Sequence, residues 1–293
     1  MMRSAGSSSM TMHFEGAGGL PLVGDLAGPV DGPLVVFLHG GGQTRHSWGA
    51  AQARMAERGF RALTLDLRGH GDTVWAPDGD YSLACFAEDL RRVVARLERP
   101  AALVGASLGG HAATFAVTQP PGLPSWALVL VDVVPRINPV GRAHIIAFMK
   151  AHPDGFATLD EAADAIAQYL PHRKRPTTTS GLAKNLRRKP DGRYYWHWDP
   201  RFLDHPVDDP EVVDRMEAGL QTADLPILLV RGGASDVVTD VEARRFRQLV
   251  PAAEMVDVTR ATHMVAGDRN DAFNDAIVRF LDRHAPAGAE RPR

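Results

Sequence analysis

Residues 105–109 read Gly-Ala-Ser-Leu-Gly, directly after the apolar run 101–104 and directly before a helical stretch that begins Leu108-Gly109-Gly110-His111. A serine on a strand-to-helix turn has a physical logic: small neighbours permit a strained tight turn that lifts the hydroxyl above a sheet edge. The helix behind it presents free N–H groups to a developing oxyanion. A serine hydroxyl is a weak nucleophile until a base takes its proton. Of twelve histidines, His263 is the best placed, because it lies in a loop between a last short strand and a last helix. His111, one helical turn beyond Ser107, is expected to face away from a pocket, and most of the others to be solvated or structural.

An acid must hold the imidazole in one tautomer. Asp236, in the loop after the apolar run 225–230, is the first choice. Asp132, at the end of the run 126–134, is its competitor on the same edge. A tetrahedral intermediate needs two N–H donors. Leu108 supplies one, and the glycine loop His39-Gly40-Gly41-Gly42-Gln43 supplies the other, most plausibly from Gly41. That loop lacks the Lys-Ser/Thr ending of a phosphate-binding P-loop, and His39 is read as a loop-steadying residue.

The elements that must position these groups follow from patterning. From 34 to 134, short runs apolar at nearly every position alternate with helical patterns, as strands buried on both faces and joined by right-handed crossovers do. Phe86, Leu90, Val93, Val94 and Leu97 recur at helical spacing within 82–98, giving one stripe toward the sheet. After Pro135 the β-branched runs vanish for nearly ninety residues, which reads as an insertion. Thr158 and Glu161 have capping-box spacing there, ahead of Leu159, Ala162, Ala163, Ile166 and Leu170. Strand–helix alternation resumes at 225–232, with a helix from about Thr239, a strand near 254–258 and a last helix from about Asp268. The fold class is α/β, with a core of 11–135 and 223–284, an insert of 136–222, and loose ends at 1–10 and 285–293.

Composition narrows the function classes. A chain of 293 residues that is 44% hydrophobic and 23% charged can bury its own core. One cysteine, Cys85, forms no internal disulfide and no cysteine-based metal site. A net charge of −2 offers no general attraction for nucleic acid or an anionic membrane. No apolar run reaches membrane-spanning length, and the N-terminus lacks the apolar core of a secretion signal. A cytoplasmic location is expected, with oligomeric state open between monomer and homodimer.

Taken together, HGGGQTRHSW, DLRGHGDT, VGASLGG, RGGASD and ATHMVAGD resemble the α/β-hydrolase fold family, in family order across 34–267. The resemblance implies an eight-stranded, mostly parallel sheet flanked by helices, with 136–222 as a helical cap over the active site and no metal or organic cofactor. Ser107 stands where haloalkane dehalogenases and epoxide hydrolases place aspartate, which argues against both. Its neighbours Ala106 and Leu108 differ from the asparagine and methionine usual beside the serine in carbon–carbon bond hydrolases.

Within the insert, Tyr194, Tyr195, Trp196 and Trp198 crowd five positions in a chain that is only 7% aromatic. They form the insert's own small core, or one or two of them line an entrance that receives an apolar or aromatic group. Gly42, Phe148, Trp196, Trp198 and Met264 are candidate pocket residues. The expected activity is hydrolysis of a small-molecule carboxylic ester or lactone through an acyl-enzyme. Carbon–carbon bond hydrolysis, as in meta-cleavage-product hydrolases, and cofactor-free perhydrolysis are the enzymatic alternatives, and a hydrolase-fold ligand receptor is the non-enzymatic one.

Overall fold

The computed structural model describes residues 9–169, 175, 179, 182–259 and 270–286. Eight strands form one sheet in the order β1-β2-β4-β3-β5-β6-β9-β10. They are β1 (Met10–Glu15), β2 (Pro21–Ala27), β3 (Leu34–Leu38), β4 (Arg61–Leu65), β5 (Ala101–Ala106), β6 (Ser125–Val131), β9 (Ile227–Gly232) and β10 (Glu254–Val258). From β4 to β10 every pairing is parallel, while β2 runs antiparallel to both β1 and β4. The parallel part is the region whose near-continuous apolar runs the sequence displays. The antiparallel pair β1–β2 carries Asp25, His13 and Glu15 among its apolar residues and has no such signature.

The helices between the parallel strands are α1 (Gly49–Glu57), α2 (Leu83–Arg96), α3 (Leu108–Thr118) and α7 (Asp240–Leu249), and α8 (Asn270–His284) follows β10. The pleat divides each strand between two cores. Leu34, Val36 and Leu38 join Leu90 of α2 and Ala112 of α3 on one face, whereas Val35 and Phe37 join Met55 of α1 and Ile277 of α8 on the other. On α2 the stripe Phe86, Leu90, Val93 and Val94 is buried as its spacing predicts. Each such side chain contributes roughly 1.5–3 kcal/mol of transfer free energy before entropy is subtracted. Ser82 caps α2 through Cys85 N–H, and Thr239 with Glu242 closes a capping box on α7.

Between β6 and β9 the chain forms α4 (Pro139–Lys150), α5 (Leu159–Tyr169), a short antiparallel hairpin of β7 (Leu186–Arg188) and β8 (Tyr194–Trp196), and α6 (Pro210–Thr222). The hairpin departs from an all-helical insert. Its strands are three residues long and have no period to reveal them, and the turn at Gly192, with φ of 82°, is the main local signal. Thr158 and Glu161 do cap α5: Thr158 Oγ1 accepts from Glu161 N–H and Glu161 accepts from Ala157 N–H. Among the described residues no helix is long and apolar enough to cross a membrane, and no group of three or more His, Cys, Asp or Glu is placed to hold a metal.

Candidate active site

Ser107 is the hinge between β5 and α3, at φ 46° and ψ −116°. The turn is possible because Gly105 and Gly109, two residues away on either side, have no side chains. A Cβ on Gly105 would meet Gly109 O at 2.5 Å, and one on Gly109 would meet Leu38 O at 2.5 Å and His39 O at 2.7 Å. Ser107 O accepts from the N–H groups of Gly110 and His111. The N–H of Leu108, the first helical residue, has no carbonyl within the helix to meet and points with the helix dipole.

The glycine loop after β3 lies alongside. A side chain on Gly40 would begin 3.4 Å from Ser107 Cβ. Gly40 N–H is spent on Gln43 Oε1 at 3.0 Å, and Gln43 N–H returns to Gly40 O at 3.1 Å. His39 Nε2 accepts from Leu67 N–H at 3.0 Å, so Nδ1 carries the proton and donates to Gly40 O at 2.8 Å. Gly42 has φ of 77°, which disfavours a side chain, and a Cβ there would stand tightly against Met149 Cε at 3.0 Å and Trp198 Cζ3 at 3.1 Å.

The two aspartates occupy different surroundings. Asp132 follows β6 immediately, is fully buried, and has φ of 49°. Its Oδ1 accepts from Gly232 N–H at 2.8 Å and its Oδ2 from Ser235 Oγ–H at 2.6 Å. Because Ala106 pairs with Val131, Ser107 and Asp132 are the residues that directly follow the paired ends of two neighbouring strands. Asp236 has a half-exposed side chain, with Oδ2 3.7 Å from His144 Nδ1 on α4. His263 and Met264 lie outside the described residues.

Ser107 opens into a cavity of about 510 Å³. Gly41, Gly42, Leu108, Phe148, Trp196 and Trp198 all line it. Trp196 and Trp198 stack with centroids 4.8 Å apart, and Phe148 stacks on Tyr169 at 4.1 Å. Tyr195 turns outward to Asp191 and Lys189, and Tyr194 packs in the small cluster around Phe156. The aromatic run therefore serves both as cavity wall and as core of its own segment. The basic residues nearby are engaged: Arg175 with Asp160 and Asp164, Arg187 with Gly71 O and Asp72.

His111 lines the cavity rather than facing away from it, because its helix lies under the pocket floor. It is nonetheless a poor base: burial lowers its pKa to about 4. Burial likewise depresses His39, His70 and His197 to about 3. Sequence reasoning passed over several residues around the site, including Ser235, which holds Asp132, Phe202, whose ring edge lies 3.4 Å from the Cβ position of Gly41, and His197. Ser235 stands in the RGGASD stretch beside Asp236, but nothing in that stretch tells that its hydroxyl reaches Asp132, and Phe202 and His197 arrive from a distant segment.

The model of the alpha/beta hydrolase family matches residues 35–276. The chain belongs to the alpha/beta hydrolase family. It is 32% identical over 259 residues to esterase Rv0045c of Mycobacterium tuberculosis, covering 85% of this chain and 83% of that protein. It is 29% identical over 270 residues to the sn-1-specific diacylglycerol lipase ABHD11 of Mus musculus, covering 87% and 83%. A crystal structure of the M. tuberculosis esterase superposes with a TM-score of 0.73 at 28% identity, over 94% of this chain and 92% of that one. E-2-(acetamidomethylene)succinate hydrolase shares the fold with a TM-score of 0.80 at 22% identity, over 94% and 100%. This alpha/beta hydrolase is an enzyme of the hydrolase class.

Proposed function

We propose that the protein is a serine esterase acting on carboxylic esters, lactones included, whose acyl or alcohol part is apolar or aromatic and of medium size. The observation that carries this reading is the strained Ser107 turn opening into a largely apolar cavity, beside a helix N-terminus and a glycine loop. The M. tuberculosis esterase, 32% identical in sequence and alike in structure, supports it. In this reading residues 136–222 form a cap over the core of 11–135 and 223–284.

Ser107 Oγ attacks the carbonyl carbon while His263 takes its proton, and the N–H groups of Leu108 and Gly41 receive the oxyanion. Collapse expels the alcohol with that proton, and water repeats the sequence to release the acid. For the base, His263 is favoured because the buried histidines near the cavity are depressed far below neutral pH, where a ring nitrogen accepts protons weakly. For the acid we propose Asp132 over Asp236. Asp132 is buried, ends the strand next to the nucleophile's strand, and is oriented by two donors, whereas Asp236 is half exposed beside His144. A triad acid is expected to be buried and fixed.

The size of the cavity, within the roughly 300–1,000 Å³ of small-molecule sites, and its aromatic wall favour substrates larger than acetate esters. The test is turnover of p-nitrophenyl esters from two to twelve carbons, with Ser107→Ala as control and a fluorophosphonate probe to label the nucleophile. Labelling at Ser107 and loss of turnover in Ser107→Ala are expected. A folded, unlabelled protein would favour a ligand receptor, and turnover that survives Ser107→Ala would overturn the mechanism.

A further inference from the structure

We infer that His197 is a positioning residue that ties the glycine loop to the core and so holds Gly41 in its donor conformation; this rests on the esterase reading above. His197 lies in the proposed cap, directly after β8, and is buried. Its Nδ1 accepts from Gly71 N–H at 2.8 Å. A ring nitrogen that accepts leaves the proton on the other one, so Nε2–H is the donor facing Gly42 O at 3.2 Å. One neutral imidazole thus bridges two core loops, the one after β3 and the one after β4.

The ring is itself held at a fixed height. His197 N–H donates to Asn185 O at 3.1 Å, and His197 O accepts from Trp75 Nε1 at 3.1 Å. Two residues on, Asp199 N–H donates to Gly69 O at 2.9 Å. Between them Trp198 packs over Gly42. The glycine loop is therefore gripped from both sides. His39 and Gln43 secure Gly40 from the core, while His197 and Trp198 secure Gly42 from the cap. Gly41, the candidate donor, lies between the two grips. A glycine triplet has no side chains to limit its backbone, so orientation of the Gly41 peptide depends on how its neighbours are anchored. Donors must be set before the oxyanion forms to be effective, which gives the cap a part in turnover as well as in binding.

The experiment compares His197→Phe, which keeps a ring and loses both bonds, with His197→Gln, whose amide can accept from Gly71 and donate to Gly42. Steady-state kinetics on one p-nitrophenyl ester and affinity for a trifluoromethyl ketone, which forms a tetrahedral adduct with the serine, are measured in the full-length enzyme. Losing an oxyanion donor outright costs about 10²–10³-fold, so a misaimed one should cost roughly 10–100-fold in kcat. His197→Phe is expected to lose that much, with KM within about threefold and ketone affinity falling in parallel, and His197→Gln to recover most of kcat. If His197→Phe does not melt cooperatively, His197→Asn replaces it, being long enough for Gly71 and too short for Gly42. A kcat within twofold of wild type in His197→Phe or its replacement, a loss confined to KM, or His197→Gln as slow as His197→Phe would overturn the inference. In each case Ser107→Ala stays inactive, so the esterase reading survives. Activity in Ser107→Ala would instead remove the reading on which both rest.

Discussion

Replacing Asp132 by asparagine separates the two candidate acids, and the structure says what the change does to stability as well as to turnover. Ser235 Oγ accepts from the N–H groups of Val237 and Val238, both at 3.1 Å, and spends its own proton on Asp132 Oδ2. Its two lone pairs are thereby committed. In Asp132→Asn the side-chain oxygen can still accept from Gly232 N–H. The new NH₂ group then meets the Ser235 hydroxyl as a second donor with no lone pair to receive it. One buried unsatisfied donor costs about 1–3 kcal/mol, and for a chain somewhat above 250 residues each kcal/mol lowers Tm by roughly 2–4 °C or slightly less. A folded protein with Tm lower by several degrees is expected. The chemical cost is far larger, because an asparagine can hold the imidazole in the wrong tautomer and cannot stabilise the imidazolium; in a serine protease the same change costs about 10⁴ in kcat. The assay is kcat/KM on a p-nitrophenyl ester, beside calorimetric melting of Asp132→Asn and Asp236→Asn. Near-wild-type kcat/KM in Asp132→Asn, with collapse in Asp236→Asn, would refute the assignment and make the half-exposed carboxylate the acid.

Ser235→Ala leaves the Val237 and Val238 N–H groups without their acceptor and removes the Ser235 hydroxyl from Asp132 Oδ2; kcat should fall roughly 5–50-fold with about 2–6 kcal/mol of stability lost, read by kinetics and urea unfolding. Trp198→Ala should widen the cavity beside Gly42 and shift the preferred p-nitrophenyl ester toward bulkier acyl groups, at a cost of roughly 3–5 kcal/mol in stability; an unchanged chain-length profile would argue that Trp198 is not specificity-determining. Stability should also fall on mild acidification. His39, His70, His111 and His197 are held at about 3 to 4 by burial, below the unfolded value of 6.5, so between those limits the unfolded chain binds more protons. Each histidine then removes about 1.4 kcal/mol of stability per pH unit as pH falls below 6.5, until the folded ring itself titrates. Urea unfolding at pH 7, 6 and 5 checks this, and a flat profile would contradict it.

The parts of the fold legible in the sequence are those with a period. The buried parallel strands, the stripe on α2 and the capping pair on α5 each follow from local rules that tertiary context reinforces. The pair β1–β2 was not legible in that way, because an edge with one polar face looks like an ordinary loop-rich start. The β7–β8 hairpin was invisible for a different reason: three-residue strands have no alternation to read. At the site, the turn around Ser107 announced itself because it needs glycine on both sides. The acid did not. Asp132 follows β6 directly and Asp236 lies in the loop after β9, both beyond the same edge of the sheet, and what distinguishes them is burial and the donors around them. Those are properties of how loop 231–238 folds back on β6, with Ser235 reaching over a hundred residues of sequence to Asp132.

Backbone strain points to the same pair of strand ends. Among the described residues, three non-glycine residues have positive φ: Glu98, Ser107 and Asp132. Glu98 closes α2 with its N–H on Ala95 O, a left-handed residue at a helix end, where such conformations are common. The other two have no such excuse. At φ of 46° and 49° they directly follow the paired strand ends Ala106 and Val131 of β5 and β6, one carrying a hydroxyl and the other a carboxylate. A non-glycine residue held there costs on the order of 1–3 kcal/mol and persists only where its surroundings over-determine it. Gly105 and Gly109 do this for Ser107, and Gly232 with Ser235 does it for Asp132. A plain βα turn with a capping serine would need neither the strain nor the second strained residue beside it. If the backbone at 132 is strained, then in the Ser107→Ala background, where no activity can be lost, Asp132→Gly should be more stable than Asp132→Ala, because both variants lose the same two hydrogen bonds and glycine alone relieves the positive φ. A calorimetric stability of Asp132→Gly equal to or below that of Asp132→Ala in the same background would show that the positive φ at 132 is unstrained and would remove this argument for pairing it with Ser107.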